Sequence, residues 1–154
     1  MRSEARANAL VLAGSAALLG GALLSQFVGG LFPCEMCYWQ RWPHLAAIAL
    51  GLLAWALGSN RALTALAAAA VLVSAAIGVF HAGVEYHWWE GVTTCTAAPI
   101  TGSTSEVLGS IMATPLIRCD AAQWTLFGIS LAGYNAILSG LIGGGALWLL
   151  RKPR

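Results

Sequence analysis

The order of hydrophobic and polar residues divides the chain into four long apolar stretches joined by more polar connections. The stretches lie at residues 7–32, 42–58, 62–80 and 124–150. A helix needs roughly 20 mostly apolar residues to cross the hydrocarbon core of a bilayer, and all four stretches approach that length, with the second the shortest. The pattern therefore predicts an all-α membrane protein, a four-transmembrane-helix antiparallel bundle formed as a single domain over residues 1–154.

Composition favours a bilayer as the surroundings of this bundle. Apolar residues make up 58% of the chain and charged residues only 9%, whereas soluble domains carry about 25% charged residues. The net charge is +2, and no basic stripe alternates with aromatic residues, which excludes a nucleic-acid-binding surface. The first stretch is longer than the roughly 7–15 apolar residues of a signal peptide. No A-x-A cleavage pattern lies near Phe32, so we expect the stretch to be retained.

Basic residues predict how the bundle is oriented. Six of the eight Lys and Arg residues flank the stretches on one side: Arg2, Arg6, Arg61, Arg151, Lys152 and Arg154. Basic loops stay in the cytoplasm, so both termini are predicted to be cytoplasmic in a multi-pass protein of the bacterial inner membrane. The loops at 31–41 and 81–123 are then periplasmic. Five of the seven tryptophans flank these outer loops, as an aromatic belt would: Trp39, Trp42, Trp88, Trp89 and Trp124. His44 and His87 are predicted to lie at the same interface.

Two further patterns concern packing and the long outer loop. Gly140 and Gly144 have GxxxG spacing, and Gly143 and Gly145 widen the surface of small residues. In lipid, small residues let helix backbones approach closely, and we interpret these glycines as packing residues. Ser103 and Glu106 fit a capping box, and apolar residues follow at helical spacing. This segment predicts a short amphipathic helix that lies on the membrane surface.

The four cysteines all fall in the outer loops, where an oxidising compartment favours disulfides. Cys34 and Cys37 form a C-x-x-C motif, and Cys95 and Cys119 lie 24 positions apart in the second loop. A haem attachment motif would need His at position 38, where Tyr38 stands, and structural zinc sites usually need a second close pair. A four-residue ring gives little loop-closure stabilisation. Redox chemistry is therefore favoured over structural disulfides and over metal binding, which stay as alternatives.

Arg41 lies four residues after Cys37, on the same face if the segment is helical, where its charge could stabilise a thiolate. Pro43 suits the first turn of a helix. It therefore indicates that the helix begins near Trp42, with a looser geometry between Cys37 and Arg41.

The segment from Phe32 to Arg41 resembles the P-C-x-x-C-x-x-Q-R signature of the DsbB family of quinone-dependent thiol oxidases. The resemblance continues through His81-Ala82-Gly83-Val84-Glu85, Trp88-Trp89-Glu90-Gly91, Cys95, Arg118-Cys119-Asp120 and Leu126-Phe127-Gly128-Ile129-Ser130. It covers nearly the whole chain in order, including the four apolar stretches and both cysteine pairs.

This resemblance implies a mechanism and a set of site residues. A Cys95–Cys119 disulfide would meet the reduced dithiol of a DsbA-like partner with a thioredoxin fold. Released Cys119 would attack Cys34, which frees Cys37 as a thiolate facing a quinone, either ubiquinone or menaquinone. Arg41 would hold a quinone oxygen, with His81 and Glu85 as further candidates for cofactor binding.

Two other functions stay open. One is a non-catalytic membrane protein whose loops are stapled by disulfides. The other is a thiol oxidoreductase of the vitamin K epoxide reductase type, in which the C-x-x-C pair follows the loop cysteines in sequence. Here the C-x-x-C pair comes first, which disfavours the second alternative.

Overall fold

The computed structural model describes residues 2–92 and 117–151. Within these ranges the elements follow in the order α1 (Arg2–Phe27), α2 (Glu35–Ala56), α3 (Arg61–Glu85), β1 (Thr125–Leu126), β2 (Ile129–Ser130) and α4 (Leu131–Arg151). Cys95 and the surface helix predicted to begin at Ser103 lie outside the described residues. The protein is mostly helical, as the apolar stretches predict.

Three of these helices are long and apolar enough to cross a membrane: Ser3–Phe27, Arg61–Glu85 and Leu131–Arg151. Helix α2 carries the second predicted stretch, 42–58, but its first ten residues include Glu35, Gln40, Arg41 and His44. These polar residues leave a shorter apolar part, so the four-span bundle stays a prediction.

The predicted start of α2 near Trp42 is wrong, because the helix begins at Glu35 and Pro43 lies inside it. The sulfur of Cys34 provides the N-cap and accepts a hydrogen bond from the Cys37 N–H at 3.3 Å. That cap satisfies one of the free donors of the first turn. The C-x-x-C motif is therefore built into a helix terminus.

Helix α3 also exceeds its predicted range, which ended at Phe80. It continues to Glu85, with Tyr86 as its C-cap. His81 and Glu85 therefore lie on the last turns of a helix, one turn apart, and not in the outer loop.

The stretch 124–150 is helical only from Leu131 onwards. Thr125 pairs with Ser130 and Leu126 with Ile129 in a small antiparallel hairpin. Its two turn residues, Phe127 and Gly128, have φ of 51° and 76°, as a type I′ turn requires. The Tyr86 hydroxyl donates to the Gly128 carbonyl at 2.8 Å and accepts from the Ser130 N–H at 2.9 Å. The hairpin is thereby fixed to the end of α3.

Small residues bring α3 and α4 together, at one of the four predicted glycines and at Gly78. A Cβ at Gly140 or Gly144 would meet nothing within 4 Å among the described residues. A Cβ at Gly143 would lie 2.7 Å from the Leu72 side chain and 3.0 Å from a main-chain oxygen of α3. A Cβ at Gly78 would lie 3.0 Å from two main-chain atoms of α4. The close contacts therefore lie at Gly143, as predicted, and at Gly78, whereas Gly140 and Gly144 make none among the described residues.

Two buried clusters occupy opposite ends of the bundle. One is formed by small and aliphatic residues: Ala7, Val11, Ala47, Ala67, Ala68, Val71, Ala146 and Leu150. The other contains Cys34, Met36, Val84 and Cys119, with Cys37, Phe80 and Ile117 packed against it. Many large apolar side chains face outwards, including Leu24, Leu66 and Leu141, as expected of helices surrounded by lipid. The second cluster places two cysteines of different loops side by side.

Gly143→Ala should destabilise the bundle by about 1–3 kcal/mol, because the new methyl group overpacks a tight helix contact. The adjacent Gly144→Ala is the matched control. It adds the same methyl group towards open space and should be neutral or slightly stabilising through helix propensity. Reversible unfolding in micelles with a rising fraction of denaturing detergent measures both. Equal stability of the two variants would contradict the packing at Gly143.

Candidate functional site

A largely apolar cavity of about 410 Å³ lies where the C-terminal ends of α1 and α3 meet the N-terminal ends of α2 and α4. Ligand sites commonly have roughly 300–1,000 Å³ and a few convergent polar groups. Five of the predicted site residues line the cavity: Cys34, Cys37, Arg41, His81 and Glu85. The fold therefore brings together residues that are up to 51 positions apart in sequence.

The two sulfurs of the C-x-x-C motif lie 2.9 Å apart. Cys34 is buried, with 3% of its surface exposed, whereas Cys37 is only half-buried. This proximity follows from the local fold, because Cys34 caps α2 and Cys37 lies in the first turn above it. A pair held this way can form and break a disulfide with small side-chain movements.

Cys119 joins the same cluster from the other loop. Only 4% of its surface is exposed, and it packs in the apolar cluster that contains Cys34. Its main-chain carbonyl accepts a hydrogen bond from the ring of His81. Cys119 is therefore anchored beside the C-x-x-C pair. Cys95 lies outside the described residues, so its predicted pairing with Cys119 stays a prediction.

His81 and Glu85 are buried above the cysteine pair. The Nε2 atom of His81 lies 3.5 Å from the Cys34 sulfur and 3.7 Å from the nearer Glu85 oxygen. The other Glu85 oxygen, Oε2, is buried and has no hydrogen-bond partner among the described residues. A buried carboxylate oxygen without a partner is costly, so the cavity offers a polar ligand an acceptor.

Comparison with known proteins agrees with this arrangement. The sequence profile of the family described as "Disulfide bond formation protein DsbB" matches residues 4–149. This chain belongs to the DsbB family. Family membership identifies the chain as a membrane protein of disulfide-bond formation.

Individual relatives extend over almost the same range. A "Disulfide bond formation protein B" of Polaromonas naphthalenivorans is 32% identical, covering 96% of this chain and 91% of the relative. Another, from Aromatoleum aromaticum, is 29% identical over 90% of this chain and 87% of the relative. An uncharacterized protein of Rickettsia prowazekii is 23% identical over 86% and 79%. No solved structure was found to match the chain.

In this DsbB-family protein, Arg41 makes its direct contacts with α1 and with a neighbouring ring. Its Nη1 donates to Gln26 Oε1 at 2.5 Å, and its Nη2 donates to the Ala22 carbonyl at 3.3 Å. The guanidinium lies 5.1 Å from the centre of the Tyr38 ring. Arg41 is thus held at the cavity wall while its charge still acts on Cys37.

The cysteine pair divides its protons unequally. Donation of a hydrogen bond to Cys37 raises the pKa of the Cys34 thiol, and burial raises it further. The same hydrogen bond lowers the pKa of Cys37, which precedes the apolar stretch 42–58, and the Arg41 charge adds to this effect. In the dithiol form, negative charge therefore develops first on Cys37.

Sequence reasoning missed a network of polar side chains near this pair. Gln40, His44, Ser74 and Ser139 are buried, and Asn135 is half-buried. The prediction that His44 lies at the membrane interface is wrong. Only 3% of its surface is exposed, and its Nε2 atom hydrogen-bonds Asn135 Oδ1 at 3.0 Å. A usable signal exists in the sequence. Polar residues within apolar helices usually face the bundle interior and mark functional regions.

The ligand atoms of Cys34, Cys37 and His81 lie within 4.8 Å of one another and could hold a metal ion by position alone. Structural zinc sites have four protein ligands and catalytic sites three. His81 can act as the third ligand only if its Nε2 atom carries no proton, and the surrounding hydrogen bonds determine where that proton lies.

Iodoacetamide should modify Cys37 of the reduced protein at lower pH than Cys34, because the thiolate is the reactive form. The midpoint for Cys37 should fall below the ordinary thiol pKa of about 8.5. Cys34→Ala removes the hydrogen-bond donor and should move this midpoint to higher pH, whereas Cys119→Ala should change it little. Peptide mass spectrometry across a pH series identifies the modified residue. Earlier modification of Cys34 would contradict the assigned order.

Proposed function

We propose that this protein reoxidises a DsbA-like dithiol partner by disulfide exchange and passes the electrons to a membrane quinone. The observation that carries the proposal is the cysteine pair, 2.9 Å apart, in the wall of an apolar cavity that also contains Arg41, His81 and Glu85. Family membership supports the disulfide chemistry. The apolar lining of the cavity supports a lipophilic quinone as the electron acceptor.

The exchange would proceed through one sulfur at a time. A partner thiolate attacks Cys95, forms a mixed disulfide and releases Cys119 as a thiolate. The partner's second thiol then displaces Cys95 and completes the partner's disulfide. Cys119 attacks Cys34, and the bond to Cys37 breaks with the electron pair left on Cys37. Cys95 then attacks Cys119, which restores the loop disulfide and releases Cys34 as a thiolate. The Cys34–Cys37 disulfide would re-form as the two electrons of this dithiol pass to the quinone. The burial of Cys119 in one cluster with Cys34 supports the attack of Cys119 on Cys34, since exchange requires the two sulfurs to meet.

The cavity fits a quinone in both its apolar and its polar parts. Its lining is mainly aliphatic and aromatic, which suits a lipophilic ring, and Glu85 Oε2 and His44 Nδ1 are buried without partners among the described residues. Arg41, His81 and Glu85 would hold the ring oxygens. A bound ubiquinone or menaquinone supplies a two-electron acceptor that also takes up protons. The charge of Arg41 would stabilise negative charge near Cys37.

The orientation in the membrane belongs to the same proposal. Family membership and the three apolar helices indicate a bacterial inner-membrane protein. The basic residues support cytoplasmic termini and periplasmic cysteine loops. This orientation would place the exchange reaction in the compartment where protein disulfides form.

Cys37→Ser should abolish quinone reduction by a reduced partner, yet a partner that lacks its second thiol should still be trapped as a mixed disulfide at Cys95. The reason is that Cys37 would take part only after the partner has reacted. Right-side-out membrane vesicles should give this trapped species, and inside-out vesicles should not. Non-reducing gels and quinone absorbance measure the two steps together.

Cys119→Ser is the matched control for this experiment. It should block transfer from the partner to the C-x-x-C pair but leave quinone reduction by a small dithiol reagent, which can reduce Cys34 and Cys37 directly. Undiminished quinone reduction by Cys37→Ser would overturn the proposed function.

Substitution of Arg41 should weaken the apparent affinity for quinone. Arg41→Lys keeps the charge but loses the planar fork, and Arg41→Met loses both, so KM should rise from wild type to Lys to Met. Loss of a charged hydrogen bond of about 1.5–3 kcal/mol corresponds to roughly a tenfold change or more for Met. Steady-state kinetics with varied quinone test this order.

The partner step provides the internal control for Arg41. Formation of the mixed disulfide at Cys95 should keep its wild-type rate in both variants, because that step uses the other loop. Unaltered quinone KM and kcat in Arg41→Met would assign Arg41 to anchoring α1 through Gln26 only.

A further inference from the structure

Two main-chain carbonyls fix the orientation of the side-chain amides of Gln40 and Asn135. The Nε2 atom of Gln40 lies 3.2 Å from the Met36 carbonyl, and Nδ2 of Asn135 lies 3.2 Å from the Ser74 carbonyl. A carbonyl oxygen only accepts hydrogen bonds, so the amide atom that faces it must be the nitrogen. Asn135 Nδ2 also lies 2.8 Å from Gln40 Oε1, which agrees with both assignments.

These orientations determine which ring nitrogen of His81 carries the proton. Gln40 Nε2 lies 2.8 Å from Nδ1 of His81. An amide nitrogen only donates, so Nδ1 must be the acceptor and the single proton of a neutral ring lies on Nε2. That N–H points towards acceptors: the Cys34 sulfur at 3.5 Å, the Glu85 carboxylate at 3.7 Å and the main-chain carbonyl of Cys119.

The same reasoning extends the chain backwards to His44. Its Nε2 lies 3.0 Å from Asn135 Oδ1, an atom that only accepts, so the proton of a neutral His44 also lies on Nε2. The donors then all point one way, from His44 through Asn135, Gln40 and His81 to Cys34. Hydrogen bonds arranged in one direction polarise one another in a medium of low dielectric constant.

We propose that Gln40 is a positioning residue that holds neutral His81 in its Nε2–H tautomer, so that this N–H donates to Cys34. Asn135 acts one step further back, by fixing the amide of Gln40. The inference rests on the proposed function in one respect. There, Cys34 leaves as a thiolate when Cys95 attacks Cys119 and restores the loop disulfide. A donor aimed at Cys34 makes it a better leaving group.

The tautomer also bears on metal binding by the reduced pair. Sulfur and nitrogen ligands on tetrahedral zinc lie about 3.6 Å apart, and the Cys34 sulfur and His81 Nε2 are already at 3.5 Å. Coordination through Nε2, however, requires the ring proton on Nδ1, where it would face the N–H donor of Gln40. Metal-binding histidines usually have an acceptor at this position. Gln40 therefore protects the dithiol from thiophilic cations such as Zn²⁺.

The test replaces the donor at Nδ1 with an acceptor of the same shape, Gln40→Glu. Both proteins carry Cys95→Ser and Cys119→Ser, so that zinc can meet only the C-x-x-C thiols. In the protein that retains Gln40, ¹⁵N NMR of labelled histidine should show His81 as the Nε2–H tautomer. The signal is assigned by its loss in His81→Asn. In Gln40→Glu the signal should move to the Nδ1–H tautomer. The Zn²⁺ affinity of the reduced protein should rise by about 10–100-fold.

Ser139→Ala is the control for a merely structural effect. Ser139 is buried and donates to Asn135 Oδ1 at 3.0 Å, but it lies outside the chain of donors. It should leave both the His81 tautomer and the Zn²⁺ affinity unchanged. The proposal would be overturned by an Nδ1–H tautomer of His81 in the protein that retains Gln40, or by a Zn²⁺ affinity of Gln40→Glu equal to that of this protein. If Gln40→Glu does not fold, the His81 tautomer in the protein that retains Gln40 decides alone.

These readouts use neither quinone nor a partner protein. Failure of quinone reduction together with the expected tautomer would therefore overturn the proposed function and leave the role of Gln40 standing. The reverse result, quinone reduction with the opposite tautomer, would overturn the role of Gln40 alone.

Discussion

The interior of a bundle surrounded by lipid offers no water, so every buried polar side chain needs a partner from another helix. This constraint organises the centre of the molecule. The residues that satisfy it on α2, α3 and α4 are Gln40, His44, Ser74, Asn135 and Ser139, joined by hydrogen bonds of 2.8–3.3 Å. Within this network, His44 Nδ1 has no partner among the described residues. The hydrogen bonds that are made fix the rotation of each helix and thereby the direction in which His81 points.

Close helix packing is what lets this network form. Gly78 leaves room for the main chain of α4 beside α3, and Asn135 then reaches Ser74 on α3 and Gln40 on α2. A larger residue at position 78 would push α4 outwards by contact with its backbone. The packing of small residues and the chemistry at Cys34 are thus linked through two amide side chains.

The hydrophobic pattern could predict the helices but not where they end. The start of α2 depends on a cap formed by a cysteine sulfur, and the seven residues before α4 form a turn with Phe127 at positive φ. Neither residue type is usual at those positions. The cluster of Cys34, Cys37 and Arg41 could be predicted because it is local in sequence.

The tertiary neighbours of the site could not be predicted in the same way. The burial of His44 depends on which face α2 turns inwards, and the burial of Cys119 depends on how its loop packs against Cys34. A short apolar sequence with weak periodicity does not specify that face. Polar residues within the apolar stretches are the better guide, since lipid forces them towards one another.

The electrostatics of the site give the proposed exchange a direction. When Cys119 attacks Cys34, the departing sulfur is Cys37, whose pKa is lowered by the Cys34 thiol in the dithiol form and by Arg41 throughout. A thiol of lower pKa leaves faster, so the electron pair moves towards the cavity. In the return step the departing sulfur is Cys34, whose burial raises its pKa and opposes departure. The His81 N–H and the Cys37 main-chain N–H both face that sulfur. Each of the two sulfurs therefore has its own stabilising group at the moment when it would carry charge.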